Sequence, residues 1–143
     1  MTALLGRSIG SVSKLASDRG AERAVFRSVL ACKAPLARIN TVAERVAIGA
    51  AAISGGATLF PVTGLWAKDA SEDLGRYRGP FEVATGVAIE ITVPLDRADE
   101  LYTALQVIVA EECARHALPA RWIHTDIEIH GQRIAAHFRI GTE

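Results

Sequence analysis

The sequence predicts an α+β domain: an antiparallel (mixed) β-sheet with a long helix packed on one face, its elements in the order α-β-β-β-α-β-β. Three observations carry that expectation. Val87, Ile89, Ile91 and Val93 alternate with Ala88, Glu90 and Thr92, the period of two of a half-buried strand. Leu101, Leu105, Ile108, Val109 and Cys113 recur at spacings of three and four, one apolar stripe of a helix. Residues 121–140 fold on themselves about His130-Gly131 so that Ile123 faces Phe138, Thr125 faces Ala136 and Ile127 faces Ile134. On the other side Glu128 meets Arg133 and Trp122 meets Arg139. A slip of one residue would destroy both patterns.

Taken in order, residues 1–22 mix Ser, Gly and Arg and read as an N-terminal arm, with a single domain expected over 23–143. No apolar core of a secretory signal follows Met1. Residues 22–38 read as a helix through Val25, Phe26, Val29 and Leu30, ended or restarted at Pro35. Val46–Ala67 runs 22 residues without a charge between Arg45 and Lys68, long enough to span a bilayer. Its glycines, Pro61 and hydroxyl residues read instead as two short strands, near 45–48 and 58–67, joined by an Ala/Gly/Ser loop. Residues 68–79 form a polar surface loop, and a strand starts near Phe81 and stops at Pro94. Asp96 stands where an N-cap should, with Asp99 and Glu100 in the first turn of a helix reaching about Ala117.

Length and composition suit one globular domain, half of whose residues are hydrophobic. Formal net charge is zero, which disfavours a binder that works by neutralising nucleic-acid phosphates. The zero hides an asymmetry. Residues 1–67 hold eight Lys/Arg against three acids, a net of +5, and residues 68–143 hold eight against thirteen, a net of −5. Such halves meet across subunits or face a membrane and its outside. Cys32 and Cys113 lack any zinc or CxxC spacing and read as small buried hydrophobes.

The stretches AVFRSVLACKAPLARI (24–39), GGATLFPVTGLW (55–66), FEVATGVAIEITVPL (81–95), DRADELYTALQVIVAEECARH (96–116) and RWIHTDIEIHGQRIAAHFRI (121–140) together cover most of the chain. In their order and hydrophobic patterning they resemble the phage tail-terminator and tail-completion family. That resemblance implies a structural virion protein assembled in the host cytoplasm, without enzymatic activity or cofactor. Its subunits would form a ring, a hexamer in that family, seated on the tail tube protein and offering a surface to the head–tail connector protein. The alternative is a single-span membrane accessory subunit of a respiratory or transport complex, with 46–67 as its transmembrane helix.

No Ser/His/Asp order, P-loop or GxGxxG is present. His124, Asp126, Glu128, His130 and His137 share one face of the hairpin, a set that could serve metal binding or acid–base chemistry as well as a solvated or interface surface. The residues expected at an interface are Trp66, Arg76, Tyr77, Arg78, Trp122, His124, Asp126, Glu128 and Arg139, because Trp and Arg anchor binding surfaces.

Overall fold

A computed structural model describes residues 22–67, 81–120, 122–129 and 132–140. Strand β1 (Arg23–Ala31) runs up the middle of the sheet, burying Ala24, Phe26, Ser28 and Leu30 and turning Val25, Arg27 and Val29 the other way. The helix expected over 22–38 is thus corrected. Val25, Phe26, Val29 and Leu30 fit a helical stripe and a strand equally, and pairing with a strand on either side decides for the strand.

Helix α1 (Leu36–Ser54) begins at Pro35 and buries Ile39, Val42, Ala43, Val46, Ala47 and Ala50. It replaces the short strand and loop expected at 45–57. Alanine, read as a loop component, is the best helix former and keeps the stripe thin. Gly55 ends the helix in the left-handed region (φ 93°), its amide donating to the Ala51 carbonyl at 2.7 Å. Strand β2 (Thr58–Ala67) follows, so the membrane-spanning alternative is corrected too: 46–67 is half a helix, a turn and a strand. Among the described residues no helix is long and apolar enough to cross a membrane.

Strand β3 (Phe81–Pro94) pairs with β2 from Phe81 to Glu90 and with β1 from Gly86 to Pro94. A 3-10 turn over Leu95–Arg97 takes in Asp96, the expected N-cap, and helix α2 (Ala98–Arg115) starts without a side-chain cap, Asp99 and Glu100 in its first turn. Arg97 Nη1 donates to the Ile53 carbonyl at 2.8 Å, tying this start to the end of α1. Strands β4 (Trp122–Ile129) and β5 (Gln132–Arg139) form the expected hairpin in the expected register, with Ile123 opposite Phe138 and Ile127 opposite Ile134.

The sheet order is β2-β3-β1-β4-β5 with every neighbouring pair antiparallel. Hence β1 and β2 are parallel around β3, and β3 and β4 are parallel around β1. This is the split βαβ plan, doubled and extended by β5. The α+β class, antiparallel sheet and helix cover stand as expected, and the first element becomes a strand.

Both helices lie on one face. Leu101, Leu105, Val109 and Cys113 from α2 and the α1 stripe close over Phe26, Leu30, Ile89, Ile91, Ile123 and Ile127, all buried. Each large side chain taken from water there contributes about 1.5–3 kcal/mol. The helices approach closely because Gly49 lies against Ile108. A polar contact interrupts this layer. Ser28 Oγ and Thr125 Oγ1, both fully buried, share a hydrogen bond of 2.9 Å between β1 and β4. Burial pushes the Cys113 thiol up to about 11, with Cys32 and Glu112 adding to the effect, so it is a protonated core group. Of the expected arm, only Glu22 is described; its carbonyl accepts from the Leu95 amide at 2.9 Å.

At Gly86 an added methyl would stand 2.3 Å from the Leu30 carbonyl oxygen and 2.7 Å from the Ala31 Cβ. Gly86→Ala is expected to lower the unfolding free energy in urea by about 1–3 kcal/mol, the usual cost of overpacking. Gly49→Ala, whose nearest contacts are side-chain atoms of Ile108 at 3.1 Å or more, should cost less. Equal losses at the two sites would contradict the close β1–β3 approach. Ser28→Ala strands the Thr125 hydroxyl and should cost about 1–3 kcal/mol, most of it recovered in Ser28→Ala/Thr125→Val. A double variant as weak as the single one would show that the pair is not the reason. For Cys113 the folded value lies above the ordinary 9.0, so its contribution is complete below pH 9 and is lost as pH rises toward 11. The urea midpoint should fall across that window in the wild type and fall less in Cys113→Ala.

Candidate functional site

Among the described residues no helix lies over the second face of the sheet, and register sets strand positions in rows that cross it. The central row runs Thr58, Glu90, Arg27, Asp126 and Ala135, one residue from each strand. One step along lies Phe60, Ala88, Val29, His124 and His137. One step the other way lies Thr92, Val25, Glu128 and Arg133. A charged row is therefore flanked on the β2 side by an apolar one, a surface suited to a ligand with a flat apolar part and a charged part.

Arg27 is the hub. Its Nε donates to Glu90 Oε2 at 3.1 Å and its Nη2 donates to the same oxygen. The Phe60 ring centroid is 5.9 Å from the guanidinium carbon. The hydrogen bond that Arg27 donates to Glu90 holds its guanidinium above its ordinary range against the opposing effect of burial, with the charges of Glu90, Glu128 and Asp126 adding to the rise. Both partners are about one-third exposed, at 38% and 32% of the side chain, so the pair is reachable from solvent. On the neighbouring strand His124 Nε2 is 3.2 Å from Asp126 Oδ1. Three carboxylates around one guanidinium leave this patch with an excess of negative charge.

At its β2 margin the face runs into a cleft of about 390 Å³ lined by Ser54, Gly56, Ala57, Thr58, Glu90 and Thr92. Its wall is the turn between α1 and β2, with Ser54 Oγ donating to the Gly56 carbonyl at 2.8 Å. The cleft thus presents three hydroxyl residues and one carboxylate, the carboxylate being the end of the Arg27 row. A second cleft, on the helix side, is lined by Leu36, Asn40, Leu59 and Pro61 among others and is mostly apolar.

Of the residues expected from sequence, His124, Asp126 and Glu128 come together on this face, Asp126 directly opposite Arg27 and the other two each two positions along. Arg76, Tyr77, Arg78 and His130 lie outside the described residues. Trp66, Trp122 and Arg139 are placed as strand positions on β2, β4 and β5, the last two opposite one another. Among the described residues no group of three or more His, Cys, Asp and Glu is arranged to hold a metal ion. Sequence reasoning missed Arg27, Thr58, Phe60, Glu90 and Thr92 as a site. A signal existed: Glu90 is the lone charge in VAIEITV and Arg27 the lone charge in AVFRSVL.

No family model and no curated protein matches the sequence. Two solved structures share its fold. A phage SAM lyase in complex with S-methyl-5'-thioadenosine aligns over 94% of this chain and 95% of its own, at 13% identity and a TM-score of 0.53. A phage SAM lyase in the apo state aligns over 84% of this chain and 91% of its own, at 15% identity and the same TM-score. At such identities the likeness is one of fold. It nevertheless corrects the reading of the chain as a non-enzymatic ring subunit of a phage tail: these two solved chains of similar strand and helix plan are those of an enzyme. The tail-terminator resemblance rested on hydrophobic patterning, and its opening helix is the central strand of this sheet.

Proposed function

We infer that the chain is a lyase acting on a sulfonium nucleoside of the S-adenosylmethionine type, working at the open sheet face. The observation that carries this is the Glu90 carboxylate, held by Arg27 through one oxygen and lining a cleft of about 390 Å³ beside Thr58 and Thr92. A cleft of that size suits a nucleoside-sized ligand. The fold shared with a SAM lyase supports the reaction class.

The chemistry asks for such a patch. When a carbon–sulfur bond of a sulfonium breaks, the electron pair leaves with sulfur. The departing thioether is neutral, and the positive charge that develops on the carbon is quenched as an oxygen of the ligand's own carboxylate bonds to it, closing a lactone; no water enters. A fixed carboxylate beside that carbon stabilises the charge as it forms, and being already oriented it needs no reorganisation. Glu90 fills that role. Thr58 and Thr92 supply hydroxyls for the polar edge of the ligand, and the Phe60 side of the face offers it an apolar surface.

The test is direct. Purified protein incubated with S-adenosylmethionine is expected to release S-methyl-5'-thioadenosine, followed by chromatography. Glu90→Gln keeps the shape and removes the charge, and should cut the rate about 10²–10³-fold, as loss of one preorganised electrostatic contact does. Thioether release no faster than in a protein-free blank would overturn the reading.

A further inference from the structure

Resting on the lyase reading, we propose that Arg27 is a positioning residue, holding the Glu90 carboxylate so that one oxygen is turned to the ligand. An arginine opposite a carboxylate commonly makes two parallel bonds, one to each oxygen. Here Nε and Nη2 converge on Oε2, and among the described residues no hydrogen bond is made to Oε1. The carboxylate is thereby oriented without being fully occupied.

The guanidinium itself is held from several sides. The Phe60 ring lies beside it, and Asp126 faces it across the β1–β4 ladder, with Glu128 two positions further along β4. Those same carboxylates raise its affinity for the proton, so it stays charged wherever Glu90 is charged. It stands in the row one strand further from the cleft than Glu90, and it does not line the cleft. Its influence on a ligand there runs through Glu90. Lysine could not replace it in full, since an ammonium is a single point where the guanidinium offers two donors in a fixed plane.

The experiment measures thioether release from S-adenosylmethionine by the wild type, Arg27→Ala, Arg27→Lys, Glu90→Gln and the Arg27→Ala/Glu90→Gln double variant, with melting temperatures taken alongside. Arg27→Ala is expected to lower kcat about 10²-fold, the scale of a small misplacement at the reacting centre. KM should stay within about threefold, because ground-state binding is not what is lost. Arg27→Lys should recover part of kcat. The double variant should be no slower than Glu90→Gln, since two residues acting through one group do not add.

A rise in KM with kcat unchanged would overturn the proposal by making Arg27 a binding residue. Full additivity in the double variant would overturn it by giving Arg27 an action independent of Glu90. Should Arg27→Ala not fold, the lysine variant decides: kcat and KM both at wild-type values overturn the proposal. A wild type that releases no thioether overturns the parent reading and this proposal together; an active wild type with additive variants overturns this proposal alone.

Discussion

Everything in this structure depends on β1 lying between β3 and β4. A central strand is paired on both edges, here with β3 over Arg23–Ala31 and with β4 over Val25–Val29. That position also sets what its side chains do. Phe26 and Leu30 are sealed in the layer under the helices, and Arg27, pointing the opposite way, lands between Glu90 of β3 and Asp126 of β4. One strand supplies the centre of the core and the centre of the charged row.

The helix layer is built to lie close to that sheet. Alanine dominates the buried stripe of α1, and Gly49 lets α2 come against it, with bulk supplied by Leu101, Leu105 and Val109 from the other helix. Small residues facing large ones fill the space at the density of a protein interior. The Ser28–Thr125 bond fits the same logic: two hydroxyls that satisfy each other cost little where either alone would be costly. The described helices cover one face and the second carries charge, where the one-third-exposed Arg27–Glu90 pair contributes orientation more than stability.

A shared fold says where a site can be; the side chains say what it can do. Two solved structures of similar plan are of phage SAM lyase. At 13–15% identity the functional argument for this chain has to come from its own residues. Those residues are a carboxylate fixed from one side, hydroxyls near it, an excess of acid around one guanidinium and an apolar row alongside. That combination answers a ligand that is part flat and apolar, part cationic.

Local chemistry in the chain by itself determined the second half of the fold. The alternation of 87–93, the stripe of 101–113 and the facing pairs of the 121–140 hairpin each have one solution, because a slip would turn apolar residues to water. The first half was decided by tertiary structure. Residues 25–30 match both periods, and only the two flanking strands, 60 and 100 residues away in sequence, select the extended form. The Ala-rich run 43–52 is a helix because β3 and α2 offer it a surface. The site follows the same division. His124, Asp126 and Glu128 were legible from hairpin parity, whereas Arg27, Glu90, Thr58 and Phe60 become neighbours only when β1, β2 and β3 pair. A contact made across strands distant in sequence leaves no mark in either strand alone beyond a lone charge among apolar residues.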